Sequence, residues 1–296
     1  MIIKINILVL FCLLFLASAS AQDSTKKVEA TIVTWNIQML PNHLGLFSDY
    51  LRKKQRVRLP WITEHCNKSE YDVVVFQEVF HHKMKRKLKR QLKEKYPYIQ
   101  STTTKFGRWT SSGVVIASKH PLTYIDHVTY KAGVHIDKWA AKACVLVEIE
   151  KDSSKFRIAG THLQSQGDPA AIIKRDKQYV EIKTLLDKNN DSNVPVFVAG
   201  DMNTGKRDSA KYNLMINTIG VEDFPLDEER PYTYDEQNTW INYKAGAQID
   251  YIMLKKGSTS TAIKEQKVLR PRGTYKSEPM DYADHYGVVS KVVIDN

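Results

Sequence analysis

The sequence turns from apolar to polar at Val196-Phe197-Val198-Ala199-Gly200-Asp201-Met202-Asn203, where an apolar run is followed by Asp201 and Asn203. Short apolar runs rich in β-forming residues are typical of buried strands. Other runs stop in the same way at a residue able to bind metal or phosphate: 32–35 before Asn36, 73–77 before Glu78 and 156–161 before His162. Because the ligand crevice of an α/β sheet lies beyond the carboxyl ends of its strands, we expect these side chains to meet in one crevice.

Two segments near the C-terminus add to this set. Residues 248–254 form another apolar run, which contains Asp250, and Asp284-His285-Tyr286 follows further along the chain. Acids, amides and histidines that converge from distant parts of a sequence indicate an enzyme. The residue types indicate metal-assisted phosphoester chemistry, because hard divalent cations prefer oxygen ligands.

Strand and helix signals alternate along the chain, which favours one α/β domain over residues 22–296. Helices are predicted at 48–67, 82–95, 169–188 and 208–219, and strands at 72–77, 113–118, 122–129, 143–150, 195–200, 262–269 and 287–294. Pro60 is expected to interrupt the first helix. Met84, Leu88 and Leu92 form a narrow apolar seam on the second helix, which is otherwise densely cationic.

Residues 1–21 have the composition of a secretory signal peptide. Lys4 gives a basic start, an apolar stretch covers 5–16, and small residues follow up to Ala21. The alternative, an uncleaved membrane anchor, is disfavoured because the apolar stretch is too short to span a bilayer comfortably. We therefore expect cleavage near Ala21 and a secreted protein, either extracellular or periplasmic.

The chain is basic, with 44 Lys and Arg against 33 Asp and Glu. Removal of the leader takes away Lys4 and no acid, so the net charge falls from +11 to +10. This charge suits a nucleic acid, an anionic membrane surface or a phosphate-rich polymer as partner. Solubility alone is an equally good explanation, and no obligate protein partner is indicated.

Glu78 is the strongest candidate for a metal ligand, because its carboxylate ends an otherwise apolar strand. The alternative role for Glu78 is a helix N-cap. Asn36 offers a neutral oxygen or an amide donor beside it, and Asp284 is expected to face the metal or its water. We expect these oxygens to hold a hard divalent cation, which would polarise a phosphoryl oxygen.

His285 is the candidate general base, because an imidazole titrates near neutrality. Asp250 is the candidate carboxylate that fixes its tautomer. Asp201 is expected to orient or deprotonate a water and Asn203 to hold a phosphate oxygen, since residues two apart in an extended segment lie on the same side. His162, at a strand end, is expected to donate to the phosphate or to act as the general acid. A purely structural role is the alternative for His162.

Taken together, these residues resemble the endonuclease/exonuclease/phosphatase superfamily, whose best-known member is deoxyribonuclease I. The resemblance covers nearly all of the chain after the leader and depends on an ordered set: Asn36, Gln77-Glu78, His162, Gly200-Asp201-x-Asn203, Asp250-Tyr251 and Asp284-His285. It implies a four-layer αββα sandwich, with two β-sheets packed face to face and helices outside. It also implies an Mg²⁺-dependent phosphodiester or phosphomonoester hydrolase.

Within that superfamily, local sequence is similar to the secreted neutral sphingomyelinases, which are phospholipase C-type enzymes. The similar segments are 34–40, 77–80, 160–164, 200–203, 267–271 and 282–286, with 131–133, Asp137 and 141–143 in the loop before the central strand. The resemblance implies metal binding by Glu78, with Asn36 and Asp284 nearby. It implies Asp201, Asn203 and His162 around the phosphate, Lys142 among the substrate-binding residues, and His285 as the base that activates water.

Two features differ from the bacterial haemolytic members of that group. Their long hairpin with exposed aromatic residues, just before the Asp-His motif, is replaced here by the short polar stretch 271–280. Their paired cysteines near the central loop are missing. We expect Cys66 and Cys144 to be buried free thiols, and the alternative is one disulfide between them in an oxidising compartment. Membrane contact would then need other groups, for which the loop 40–47 and Phe106 with Trp109 are candidates beside ordinary loop packing.

Three hypotheses for function follow. The leading one is a secreted Mg²⁺-dependent phosphodiesterase that cleaves sphingomyelin, at a membrane phospholipid surface, into ceramide and phosphocholine. The first alternative is a secreted deoxyribonuclease I-like nuclease, since the basic helix at 82–95 suits a phosphate backbone. The second alternative is a non-catalytic cationic binding protein, which is disfavoured because every member of the catalytic set is present.

Overall fold

A computed structural model of the protein describes residues 27–41, 49–102, 107–131, 133–258 and 261–294. The predicted leader, most of the loop 40–47 and Phe106 lie outside these residues. The boundary of the catalytic domain at residue 22 therefore stays a prediction. In the part of the chain that is described, no helix is both long and apolar enough to cross a membrane.

The described residues form sixteen β-strands, and the strands at the centre of each sheet are strongly buried. The strands are β1 (Val28–Met39), β2 (Val73–Val79), β3 (Tyr98–Ser101), β4 (Val115–Ser118), β5 (Leu122–Thr129), β6 (Ala143–Lys151), β7 (Ser154–His162), β8 (Val196–Asp201), β9 (Val221–Glu222), β10 (Tyr234–Asp235), β11 (Gly246–Ala247), β12 (Asp250–Lys255), β13 (Thr261–Leu269), β14 (Arg272–Tyr275), β15 (Glu278–Asp281) and β16 (Gly287–Ile294). The main predicted strands are confirmed within a few residues. The sequence does not predict the short strands β3, β9, β10, β11, β14 and β15.

The strands form two six-stranded sheets with mixed directions. The first sheet has the order β13-β16-β1-β2-β4-β3 and the second has the order β5-β6-β7-β8-β12-β9. A parallel pair lies inside each sheet, β1 with β2 and β7 with β8, and the neighbouring strands are antiparallel. Polar residues lie at the carboxyl ends of both parallel pairs, β1 with β2 in the first sheet and β7 with β8 in the second.

The helices cover the outer faces of the sheets. They are α1 (Asp49–Lys68), α2 (His82–Leu92), α3 (Pro169–Lys188) and α4 (Ser209–Ile219), with a 3₁₀ helix at His135–Trp139. One apolar cluster lies between the two sheets, a second joins α1 and α2 to the first sheet, and a third joins α3 and α4 to the second sheet. The predicted four-layer αββα sandwich is therefore confirmed.

The predicted interruption of the first helix at Pro60 is wrong. Helix α1 runs through Pro60 without a break. Leu59 and Ile62, on either side of it, are fully buried in the same cluster. Packing of both halves against one sheet thus offsets the hydrogen bond that the proline cannot donate.

The seam predicted on the second helix is confirmed, because Met84, Leu88 and Leu92 are all buried against the first sheet. The predicted chemistry of the cysteines is also confirmed. Cys66 and Cys144 are buried free thiols, one in each of the two outer clusters. The stretch before Asp284 forms the small hairpin β14–β15, whose turn residues Lys276 and Ser277 both have positive φ. Its shortness agrees with the sequence prediction.

Candidate active site

The polar residues at the strand ends converge between the two sheets. Asn36, at the end of β1, donates from Nδ2 to Glu78 Oε1 at 3.2 Å and to Asp201 Oδ2 at 3.0 Å. His162, the last residue of β7, has its Nε2 3.5 Å from Asp201 Oδ2 and 3.9 Å from Glu78 Oε1. The expectation that these side chains meet in one crevice is confirmed.

A local irregularity in the first sheet orients this end of the site. The pairing of β1 with β2 shifts register between Asn36 and Met39, as in a β-bulge. Gln38 and Glu78 both have positive φ, 49° and 58°, a conformation that costs free energy outside glycine. Asn36 Oδ1 accepts from the Gln38 amide, so Asn36 presents its nitrogen to the carboxylates. Its assignment as a metal ligand, which needs the oxygen, stays a prediction.

Gln38 is a site residue whose role the sequence reasoning missed. Its Nε2 donates to Asp284 Oδ2 at 2.7 Å, which connects the end of β1 to the loop before β16. The signal was present, because Gln38 lies within the segment 34–40 that resembles the sphingomyelinases. A glutamine surrounded by apolar residues carries no chemical signature of its own, however.

His285 and Asp250 form a buried pair. Asp250 is the first residue of β12 and lies opposite Asp201 in the pairing with β8. His285 Nδ1 lies 2.9 Å from Asp250 Oδ2 and 3.8 Å from Asp201 Oδ2. Burial disfavours the imidazolium, but the carboxylates of Asp250 and Asp201 outweigh it and hold the pKa of His285 well above its ordinary value. With Nδ1 bonded to Asp250, Nε2 is the ring atom left to accept a proton.

His162 has a different environment. The Lys142 ammonium donates to His162 Nε2 at 3.1 Å, to Asp137 Oδ2 at 2.9 Å and to the Leu163 carbonyl at 2.7 Å. Burial, reinforced by the Lys142 charge, holds the pKa of His162 well below its ordinary value. The ring is therefore neutral, with Nε2 as acceptor and the proton on Nδ1. Sequence reasoning gave no hint that Lys142 and His162 are partners.

Asn203 does not adopt the extended geometry that its spacing from Asp201 suggested. Strand β8 ends at Asp201, and Asn203 has a φ of 49°. The Asn203 amide donates to Asp201 Oδ1 at 2.9 Å, which turns the chain as in an Asx-type turn. The Asn203 side chain donates from Nδ2 to the Leu163 carbonyl at 3.3 Å. Asn203 thus lies beside the His162 segment, although by a turn and not by strand alternation.

Glu78 and Asp284 supply the negative charge on one wall of the site. Burial and the neighbouring Asp284 raise the pKa of Glu78 to about 7, and burial also raises the pKa of Asp284. Asp284 Oδ1 is buried and has no hydrogen-bond partner among the described residues. Two partly buried carboxylates, one with a buried oxygen that has no partner among the described residues, fit a hard divalent cation, which would satisfy that oxygen.

A second group has ligand atoms close enough for a metal. Asp201, Asp250 and His285 each offer an atom within 4.8 Å of the others. His285 Nδ1 and Asp250 Oδ2, however, are joined to each other by the 2.9 Å contact. We therefore interpret this group as an acid–base pair with a neighbouring carboxylate, which leaves Glu78 and Asp284 as the candidate ligands for a cation.

Arg58 is a second residue that the sequence reasoning missed. Its fully buried guanidinium donates to the carbonyls of Ile37, Gln38 and Tyr282, at 3.0, 2.9 and 2.7 Å. One side chain of α1 therefore fixes both backbone segments that carry Gln38 and Asp284. No motif marks Arg58 in the sequence, because a cation in an amphipathic helix ordinarily faces solvent.

The carboxylates open into a cavity of about 300 Å³ with two kinds of wall. Glu78, Lys142, His162 and Asp284 supply the polar wall. The other wall is apolar and includes Leu40, Phe80, Trp109, Ile136 and Trp139. A site with this division suits a ligand that has a charged group and an apolar part.

Comparison with known proteins agrees with this architecture. A sequence model of the Endonuclease/Exonuclease/phosphatase family matches residues 33–285, which contain every candidate site residue. The chain is 27% identical to "Sphingomyelinase C 2" of Leptospira interrogans over 92% of its own length. It is 28% identical to "Phospholipase C" of Staphylococcus aureus, over 92% of its own length and 89% of that protein.

These matches differ in the share of the relative's own length that they cover. The chain spans about half the length of the first two curated relatives, 47% and 54%. A solved structure of a double mutant of beta toxin from Staphylococcus aureus, with bound magnesium ions, superposes with a TM-score of 0.76 at 22% identity. That match covers 89% of this chain and 99% of the toxin chain, and it shows that the two proteins share a fold.

Proposed function

Because the chain belongs to the endonuclease/exonuclease/phosphatase family, we propose that it is a metal-dependent phosphodiesterase that hydrolyses sphingomyelin to ceramide and phosphocholine. The observation that supports this proposal is that one wall of the cavity is polar and the other is apolar. Acids and histidines meet a phosphodiester on one side, and Leu40, Phe80 and the neighbouring aromatic residues meet apolar chains on the other. The names of two relatives, a sphingomyelinase C and a phospholipase C, point to the same class of substrate.

We propose that the pair of His285 and Asp250 activates the attacking water. In its neutral form, His285 takes a proton at Nε2 from the attacking water, while Asp250 holds Nδ1–H and stabilises the imidazolium that forms. Asp201, 3.8 Å from His285 Nδ1, adds a second negative charge near this ring. The pair is thus oriented before substrate arrives.

The phosphate would lie among the remaining residues of the set. Lys142 supplies a positive charge next to His162, and Asn203 stands beside them at the Leu163 carbonyl. A divalent ion held by Glu78 and Asp284 would polarise a phosphoryl oxygen. We propose Mg²⁺, the ion bound in the beta toxin structure, with Mn²⁺ or Co²⁺ as alternatives. The metal role of Asn36 needs an amide flip from the arrangement described above.

Parallel hydrolysis assays test this function. Residues 22–296 are incubated with sphingomyelin in mixed micelles and with plasmid DNA, each with Mg²⁺ and with EDTA, and His285→Ala serves as the inactive control. Release of phosphocholine that requires both metal and His285, with the plasmid intact, is the expected result. Absence of turnover on both substrates, with binding retained, would instead identify a cationic binding protein.

A nuclease is the second candidate, and the charge of α2 favours it. Lys83 and Arg86, at the start of this helix, line a smaller cavity beside the site, together with Phe80 and Trp109. Nicking of the plasmid without lipid turnover would support this alternative. Nuclease binding would also weaken steeply with salt, because cations released from the phosphate backbone drive it.

Export is part of the proposal. The composition of residues 1–21 supports a cleaved leader and a secreted product. Mass spectrometry of the protein from the culture medium and from the periplasm should find an N-terminus at or near Gln22. A product that retains residues 1–21 in the membrane fraction would contradict it.

A further inference from the structure

Two exposed tryptophans form a rigid platform next to the candidate active site. The rings of Trp109 and Trp139 are stacked, with centroids 4.1 Å apart and planes 15° from parallel. They are 52% and 37% exposed, and nearby Ile136 is 47% exposed. The Trp109 amide donates to the Trp139 carbonyl at 2.8 Å, so backbone pairing fixes the stack. We call Trp109, Ile136 and Trp139 the tryptophan platform.

The platform lies at the rim of the catalytic cavity. All three of its residues line the cavity that also contains Glu78 and Asp284. Trp109 additionally lines the smaller neighbouring cavity at the start of α2. Any flat surface that meets the platform therefore also meets the opening of the site.

Positive charges surround the platform. Lys138 Nζ lies 5.0 Å from the centroid of the Trp139 ring, and Arg108 donates to the Lys138 carbonyl. Lys83 and Arg86 are exposed on the α2 side of Trp109. Asp137, the carboxylate between Ile136 and Lys138 in the chain, is already paired with Lys142. Tryptophan with Lys and Arg around it is the pattern of residues that lie at the boundary between lipid headgroups and acyl chains.

We propose that the tryptophan platform docks the protein on the surface of a phospholipid bilayer, with the cavity opening toward the headgroups. The tryptophan rings and Ile136 enter the headgroup–acyl boundary, and the surrounding cations contact phosphate groups. The hairpin β14–β15 offers no comparable surface, because its turn consists of Lys276 and Ser277. The proposal rests on the proposed function for its substrate, but binding to a bilayer can be measured without turnover.

The test compares binding of matched variants to vesicles. The double variant Trp109→Ala/Trp139→Ala and the single variant Ile136→Ser probe the platform. Tyr98→Ala is the control, because Tyr98 is 39% exposed but pairs with Ser118, which lies opposite Val73 at the far end of β2 from Glu78. Each change is made in His285→Ala protein, so that the lipid stays intact. Co-sedimentation with sphingomyelin–phosphatidylcholine vesicles and tryptophan fluorescence report binding.

We expect vesicle affinity to fall about tenfold or more in the double variant and severalfold in Ile136→Ser, because buried apolar area drives interfacial binding. The Tyr98→Ala control should bind as strongly as the His285→Ala protein. The blue shift of tryptophan fluorescence that vesicles cause in the His285→Ala protein should be missing in the double variant. Thermal unfolding verifies that each variant is folded. Equal affinity of the platform variants and the control would overturn the proposal. A dimer in solution that only the platform variants lose would also overturn it.

A second arm separates this inference from the proposed function. In the active protein, the double variant should lose about tenfold more activity on vesicle sphingomyelin than on monomeric short-chain sphingomyelin, which has the same headgroup and apolar chains but no bilayer. An equal loss on both substrates would place the platform in catalysis and overturn the docking role. Failure of the proposed function would appear differently, as absent hydrolysis in wild-type protein that still binds vesicles through the platform.

Discussion

Asp250 holds His285 through a 2.9 Å contact between its Oδ2 and the ring Nδ1, and Asp250 is fully buried. The change Asp250→Asn keeps the shape but removes the charge that stabilises an imidazolium. We expect turnover to fall roughly 1,000-fold or more, as for the loss of the carboxylate in other histidine–acid pairs. Steady-state hydrolysis of a phosphodiester measures this.

The chain contains a matched control for this prediction. Asp72 and His120 form a second acid–histidine pair, with 2.7 Å between Oδ1 and Nε2, at the opposite end of β2. Asp72→Asn should lower the unfolding temperature and leave turnover per folded molecule close to that of wild type. Similar losses of turnover in both variants would mean that Asp250 acts through stability alone.

Arg58 should be required both for stability and for the geometry of the site. Arg58→Lys keeps a positive charge but replaces the two terminal nitrogens that bind the three carbonyls with a single nitrogen on a shorter side chain. We expect the free energy of unfolding to fall by about 1–3 kcal/mol, because buried carbonyls lose their donors, and turnover per folded molecule to fall as well. Chemical denaturation and kinetics measure the two effects.

Arg157→Lys controls for the loss of a guanidinium. Arg157 pairs with Glu148 and donates to the Asn189 carbonyl, and it lies outside the cavity. It should lose stability without a change in turnover. The positioning role of Arg58 is contradicted when turnover of Arg58→Lys, corrected for the folded fraction, matches that of Arg157→Lys.

Gly200 should not tolerate a side chain. A Cβ at this position would lie 2.0 Å from the Thr161 carbonyl oxygen, where β7 and β8 run side by side. Gly200→Ala should therefore cost about 3 kcal/mol or more, or prevent folding. Thermal unfolding and soluble yield measure this. Gly167→Ala is the control, since no atom lies within 4 Å of the added carbon, and its unfolding temperature should change by no more than a few degrees.

Metal binding should appear as added stability. A divalent ion that binds only the folded chain at 100 times its Kd adds about 2.7 kcal/mol. We expect Mg²⁺ to raise the unfolding temperature of wild type, and EDTA to reverse the rise. Glu78→Gln should show little of it, because the ion loses a charged ligand. Glu148→Gln, which removes a carboxylate remote from the cavity, should show the same rise in unfolding temperature with Mg²⁺ as wild type. An equal rise in Glu78→Gln would mean that the ion binds at another site.

The sequence predicts the strand-end residues well, because their pattern is local. Asn36, Glu78, His162 and Asp201 each end an apolar run, and a parallel pair in each sheet carries them to the same edge. Asp250 follows from its place in an apolar run as well. The four layers follow from the resemblance, and the buried seam of α2 follows from its helical spacing.

The remaining features depend on contacts between distant segments. Arg58 acts on Tyr282 across most of the chain, and Lys142 meets His162 only once β6 pairs with β7. The positive φ values of Glu78 and Asn203 are local features, but residues other than glycine keep this conformation only where the surrounding structure holds them. The same tertiary packing keeps α1 continuous through Pro60, against its intrinsic preference.

The pairing of β1 with β16 joins the first described strand to the last, with Val28 opposite Ile294. His285 and Asp284 precede β16 directly, so these residues reach the site when that strand docks. A ribosome-bound chain that has not yet released β16 would therefore contain Asn36, Glu78 and His162 without the base that completes them. The topology would make the proposed activity depend on the docking of β16, and a nascent chain that lacks this strand would be inert.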